Sequence, residues 1–225
     1  MGKKYMAKRA VIFDLDGTLV DTAPDLMAST NHVLALLDRR PITMDEVRSF
    51  VGHGARALLA RGTLATGAML DERSLNYYHA EFLRYYEKNI AVDSEIFPGV
   101  LPLLKTCEAE GIAMGICTNK IEGLSLRLLK ELDLAKYFGA VVGPDTINVA
   151  KPDPAPYLET LKRLKVAPEN SVMIGDSETD ILTARAAKVP VIAVTFGYTQ
   201  KPVAECNPDY LVSHFDEIWD ILRRQ

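Results

Sequence analysis

Two aspartates, Asp14 and Asp16, follow directly on the apolar run AVIF of residues 10–13, and Gly17 and Thr18 come next. Like charges so close repel, and each resists leaving water, so a positive group or a reaction has to compensate for them. Further chemistry-bearing residues stand behind other short apolar runs. Thr118, Asn119 and Lys120 come at and after the end of IAMGIC; Lys151 lies in VAKPDP, beyond AVVG; Asp176, Ser177 and Asp180 follow SVMIG. Taken singly, each has a plain reading. An aspartate after a strand is most often a turn or helix-cap residue, Thr118 alone caps the next helix, and Lys151 alone is a solvated loop lysine. Together they supply four carboxylates, two lysines and three hydroxyls. Oxygen ligands in excess over basic partners suit a hard divalent cation, and few protein ligands beside a phosphate suit Mg²⁺ better than a dedicated Ca²⁺ cage.

For these residues to meet, the runs preceding them have to be strands of one sheet. AVIF (10–13), IAMGIC (112–117), AVV (140–142), SVMI (171–174), VPVIAV (189–194) and YLV (210–212) mostly lack polar alternation, the pattern of strands buried on both faces. GVLPLLKTCEAEG, GLSLRLLKELDL, APYLETLKRLKV and TDILTARAAK read as helices between them. This alternation implies βαβ units and a Rossmann-like parallel sheet, whose ligands sit outside the carboxyl ends of the strands. Residues 22–89 break the alternation. LMASTNHVLALLD, DEVRSFV, ARALLARG and LNYYHAEFLRYYEKN read as helices, and Thr22 with Asp25, like Thr43 with Glu46, fits a capping box. The expected fold class is therefore α/β: a discontinuous core of residues 1–21 and 90–225, with an all-helical cap domain inserted at 22–89.

The motifs in their order carry a resemblance. DLDGT (14–18), CTN (117–119), Lys151 in AKPDP and GDSETD (175–180) resemble the four motifs of the haloacid dehalogenase superfamily, in its phosphatase branch. The resemblance covers essentially the whole chain, and the helical insertion matches that family's cap. It implies a Mg²⁺-dependent phosphomonoester hydrolase. Asp14 would be the nucleophile that forms an aspartyl phosphate. Asp16 would protonate the leaving oxygen and then act as base on water. Mg²⁺ would lie between Asp14, the Asp16 carbonyl, Asp176 and a phosphate oxygen. Thr118, Asn119 and Lys151 would hold the phosphoryl oxygens, and Asp180 would orient Lys151 and metal-bound water. Rival readings on the same core are a pyrophosphatase or broad small-metabolite phosphatase, and then a β-phosphoglucomutase-like mutase. Asp16 speaks against a haloalkanoate dehalogenase, which needs no second acid, and against a P-type ATPase domain, whose motif lacks the second aspartate. A catalytically silent binding module is the reading from another class; the intact quartet Asp14, Asp16, Lys151 and Asp176 speaks against it.

DTAPDL (21–26) and VGHG (51–54) are similar to the phosphoglycolate phosphatase group, which implies 2-phosphoglycolate as the substrate. GHGARA (52–57) also matches a loose dinucleotide fingerprint, but no strand precedes it. A glycine-flanked loop running into a helix can bind anions, so His53 becomes a candidate substrate contact. Arg61 is the arginine expected to meet a substrate carboxylate, with Arg56 second. His32, His79 and His214 read as ordinary helix or core residues, Trp219 as core filling, and Tyr77, Tyr78, Tyr85 and Tyr86 as cap packing, with a dimer contact the lesser reading. Monomer and homodimer both stay open.

The partner that the resemblance implies is a small phosphorylated metabolite, and the balance of the chain bears on the alternatives. It has 225 residues, a net charge of −4 and no basic run, which excludes nucleic acid and anionic membrane surfaces as expected partners. No apolar run approaches the ~20 residues needed to span a bilayer. Three widely spaced cysteines without a CxxC pair read as reduced thiols of a cytoplasmic protein. The basic-then-apolar start faintly resembles a leader, but Asp14 ends the apolar run too soon, and Met6 stands where myristoylation would want Ser or Thr.

Overall fold

The chain enters its sheet at the first apolar run. In a computed structural model, which describes residues 9–199 and 201–224, strand β1 spans Ala10–Phe13. Met6 and the basic segment around it, weighed above as a leader or lipid anchor, lie outside those residues. A two-residue strand, β2 (Val20–Asp21), leads into helices α1 (Ala23–Leu36), α2 (Met44–Phe50), α3 (Ala55–Ala65) and α4 (Glu72–Lys88). Strand β3 (Glu95–Ile96) then pairs antiparallel with β2. The remainder alternates: α5 (Val100–Ala109), β4 (Ala113–Cys117), α6 (Glu122–Glu131), β5 (Ala140–Val142), α7 (Ala155–Leu164), β6 (Ser171–Gly175), α8 (Glu178–Ala187), β7 (Val191–Val194), β8 (Tyr210–Val212) and α9 (Asp216–Leu222).

All six long apolar runs are strands of one parallel sheet, in the order β5-β4-β1-β6-β7-β8. Their side chains alternate between two apolar layers, as a pleated strand requires. Val11 and Phe13 join the layer shared with the inserted helices, while Ala10 and Ile12 face Tyr157, Leu161 and Ile181 on the other side. Burial on both faces explains why these runs are continuously apolar. β7 starts two residues later than its run, after Pro190, which has no N–H to give the ladder. β1 and β6 are central, so the loops after β1, β4 and β6 converge on one edge.

Four helices occupy the interval between β2 and β3. Thr43 and Glu46 form the expected capping box at α2. Thr22 and Asp25 do not form one at α1. The Thr22 hydroxyl instead donates to Asp16. The buried Asp25 carboxylate accepts from the Asp93 N–H and the Ser94 hydroxyl, tying the way into the helices to the way out. Tertiary partners for two buried groups outweigh a local cap. The four tyrosines split: Tyr86 is buried, Tyr85 stacks on His32, Tyr78 packs partly, and Tyr77 is exposed. Trp219 packs partly buried against the core. All three cysteines are buried free thiols. Among the described residues no helix is long and apolar enough to cross a membrane.

Candidate active site

Beyond β1 the ladder continues for one residue, the Asp14 N–H donating to the Ile174 carbonyl at 2.9 Å. This fixes Asp14 beside the end of β6, where Asp176 begins the next loop. Gly17 then turns the chain with φ +84°. A side chain there would meet the Asp176 carboxylate at 2.6 Å and the Tyr198 ring at 2.8 Å, so only glycine fits. Thr18 follows and donates its hydroxyl to Asp176 Oδ1 at 2.8 Å. Asp176 Oδ2 accepts the Tyr198 N–H at 2.6 Å.

Lys151 reaches the same cluster from the loop after β5. Its Nζ lies 2.6 Å from Asp180 Oδ1 and 2.9 Å from Asp14 Oδ1. The other Asp180 oxygen accepts from Asp176 N, Ser177 N and Ser177 Oγ, a capping box that opens α8. Asp180 thus spends both oxygens on protein donors. Asp14 Oδ1 differs. It feels the Lys151 charge but has no aligned hydrogen-bond donor among the described residues.

Ligand atoms of Asp14, Asp176 and Asp180 lie within 4.8 Å of one another, all three buried. Among the described residues Lys151 is the one cation paired with this cluster, so three carboxylates face a single positive charge. The strain shows in their acidities. Burial pushes the Asp14 carboxyl up to about 6, with Lys151 opposing and Asp180 adding to the rise. Burial, then Asp180 and Asp14, push Asp176 well above the usual carboxylate range. Burial works against the Lys151 ammonium, but Asp14 and Asp180 more than offset it. A buried oxygen without a directed donor, in a cluster short of positive charge, fits a divalent cation held by Asp14 and Asp176.

Asp16 points the other way, into a second set of partners. Lys120 Nζ lies 3.0 and 3.2 Å from its two oxygens, and the Thr22 hydroxyl donates to it at 2.8 Å. Lys120 also donates to the Tyr86 hydroxyl of α4 at 2.7 Å. The two aspartates one residue apart are therefore separated by the strand-end geometry and matched to different lysines. Sequence reasoning noted Lys120 as a neighbour of Thr118 and gave it no role; a lysine in a loop carries no mark of its burial.

A cavity of about 240 Å³ opens over Asp14 and Asp16. Thr118, Asn119 and Lys120 line its core side, and His53, Arg56 and Phe82 its helical side. Thr118 is buried with its N–H on the Val142 carbonyl. Asn119 accepts the Lys151 N–H and donates to the Gly52 carbonyl, joining the loop after β4 to VGHG. His53 stands at the rim, its acidity raised by partial burial and by Arg61 nearby. Arg56 turns outward to Glu72 and Asn76. Arg61 does not border this cavity: it donates to the Phe50 carbonyl and lines a neighbouring cleft with Glu178 and Tyr198.

A parallel sheet with paired aspartates after its central strand, a lysine after β5 and an acidic loop after β6 defines a class of hydrolase. The family model for haloacid dehalogenase-like hydrolases matches residues 11–194, and the chain belongs to that family. Among its relatives is the phosphoglycolate phosphatase of Mesorhizobium japonicum, 42% identical over 213 residues that cover 95% of this chain and 94% of the relative. The phosphoglycolate phosphatase of Agrobacterium fabrum is 40% identical over 204 residues, covering 91% and 88%. A crystal structure described as a predicted phosphoglycolate phosphatase from Haemophilus somnus superposes with a TM-score of 0.89 at 28% identity, covering 96% of this chain and 99% of that one.

Proposed function

We propose that the chain is a Mg²⁺-dependent phosphomonoester hydrolase whose substrate is 2-phosphoglycolate, released as glycolate and phosphate. The observation that carries the reading is the separation of the two aspartates. Asp14 lies in the acid cluster with Lys151, while Asp16 faces the cavity with Lys120. Two carboxylates in distinct environments take distinct roles. In this reading an Asp14 oxygen attacks phosphorus, the bond to the bridging oxygen breaks, and Asp16 gives that oxygen its proton. Asp16 then takes a proton from water, the water attacks phosphorus, and the Asp14 carboxylate and phosphate are freed. Lys151 and Thr118 hold the phosphoryl oxygens; Asn119, expected to join them, spends its amide on the Gly52 and Lys151 backbone and keeps Lys151 in place. Asp180 orients Lys151. Asp14, the Asp16 carbonyl and Asp176 would hold Mg²⁺, which would supply the positive charge that lets an anionic nucleophile approach an anionic phosphate.

The substrate assignment draws on the relatives' names and on the size of the cavity, which suits a small metabolite. Residues 22–89 act as the cap over residues 1–21 and 90–225, and three buried free thiols agree with a cytoplasmic enzyme. The test is phosphate release from purified protein with Mg²⁺ across 2-phosphoglycolate, pyrophosphate and a panel of sugar phosphates. The expected result is the highest kcat/KM on 2-phosphoglycolate and silence after chelation. A preference for pyrophosphate, or an even spread over the panel, would establish the rival reading instead.

A further inference from the structure

We propose that Lys120 is the residue that selects the substrate's carboxylate, and that the Tyr86 hydroxyl of α4 seats it for that task. The inference rests on the reading of Asp16 as the acid for the leaving oxygen. A short substrate leaves little freedom. The acid has to reach the bridging oxygen within ~3 Å. In a two-carbon phosphorylated acid that oxygen is three bonds from either carboxylate oxygen, a span of under about 4 Å. The carboxylate therefore falls within about 7 Å of Asp16, whichever way the molecule turns.

The cations around the cavity sort themselves by that limit. Lys120 lies 3.0 Å from Asp16 and forms part of the cavity wall. Lys151 is committed to Asp14 and Asp180 on the phosphoryl side. Arg56 is drawn to Glu72 at the exterior. Arg61 borders a different cleft. His53 and His79 are both shifted toward the neutral form, by burial first and then by an adjacent arginine. Lys120 remains, and its contacts leave room for a ligand. It reaches both oxygens of one carboxylate, at 3.0 and 3.2 Å. One of those contacts passes to a ligand carboxylate while the other stays on the Asp16 carboxyl as a hydrogen bond. The Tyr86 hydroxyl, at 2.7 Å, holds the ammonium from the helical side. Recognition of the acid is thereby placed in the loop after β4, two residues from Thr118.

The test compares 2-phosphoglycolate with 2-hydroxyethyl phosphate, which has the same two-carbon frame and no carboxylate. Wild type, Lys120→Met and Lys120→Gln are assayed on both with Mg²⁺, the second variant serving if the first fails to fold. Any loosening of Asp16 slows both substrates alike and cancels in the ratio of their kcat/KM values. The ratio should fall about ten- to a hundredfold in the variants, the range expected for one lost hydrogen bond to a charged group. Tyr86→Phe should lower it in the same direction by less. A wild-type preference that survives in both lysine variants would overturn the assignment while leaving the substrate reading intact. A wild-type ratio near one would overturn both.

Discussion

Protons and Mg²⁺ should compete for Asp14, and stability should report it. In the metal-free protein the Asp14 carboxyl is raised from the ordinary 3.8 to about 6. A carboxylate raised on folding binds its proton more tightly in the native state, so its contribution is fully present below pH 3.8 and is lost as pH rises through 6. The whole difference is about 3 kcal/mol, of which about 1.4 kcal/mol goes between pH 5 and 7.5. Asp176 is shifted in the same direction. A cation bound through Asp14 needs the ionised form, so at pH 5 it has to displace the proton and binds about tenfold more weakly than at neutral pH. The assay is urea unfolding followed by Trp219, the only tryptophan, with chelator and with fixed Mg²⁺. Subtracting an Asp14→Asn control removes groups such as Glu46, lowered to about 2 chiefly by its hydrogen bond to Arg40. Relative to that control, metal-free wild type should lose stability from pH 5 to 7.5, and Mg²⁺ should stabilise it more at 7.5. A difference that does not move with pH, or Mg²⁺ stabilisation larger at pH 5, would refute the reasoning.

Asp14→Asn should fold and lose turnover; steady-state activity within about tenfold of wild type would sink the covalent scheme. Asp16→Asn should slow alkyl phosphate hydrolysis by ~10²–10⁴, and an unchanged rate would remove its acid–base role. Asp180→Ala strips Lys151 of one buried partner and leaves three donors at the start of α8 unpaired. A broken buried pair costs about 3–5 kcal/mol, which urea unfolding checks; a loss under about 1 kcal/mol, the scale of a surface pair, would contradict it. Arg61→Ala should change kcat/KM on 2-phosphoglycolate little, since the side chain borders the neighbouring cleft; a loss near tenfold, the size of a charged hydrogen bond, would return it to the substrate site.

How far the chain could be read depended on what each residue's position rests on. Asp14, Thr118, Lys151 and Asp176 were legible because they follow strands, and strands buried on both faces announce themselves as apolar runs of the right length. β2 and β3 were missed because two residues carry no periodicity. Thr22 and Asp25 have the spacing of a capping box, yet both are buried and bond elsewhere, Thr22 to Asp16 and Asp25 to residues 93 and 94. Arg61 and Arg56 were both plausible on α3, since a helix pattern tells which residues share a face and not which face meets the cavity. Lys120 stood behind a strand like the others but carried no sign of its role, which comes from Asp16 and from Tyr86, 34 residues away on another element.

The residues that resisted reading share one cause: they depend on how the helical insert is joined to the sheet. That junction is a small set of contacts. β2 pairs with β3, Asp25 holds residues 93 and 94, and the Tyr198 hydroxyl bonds to Asp21 and to the Ala23 N–H. Tyr198 also gives its backbone N–H to Asp176. Gly197 lets that approach happen, since a Cβ there would fall 2.1 Å from the Asp176 side chain. One loop after β7 therefore fixes both an acid of the cluster and the root of the insert. Movement of the helices about this junction has to leave Tyr198 in place if Asp176 is to keep its orientation. A movement that keeps these contacts would have to bend the chain between Asp25 and Asp93, leaving the strand ends that carry Asp14, Thr118, Lys151 and Asp176 on the sheet.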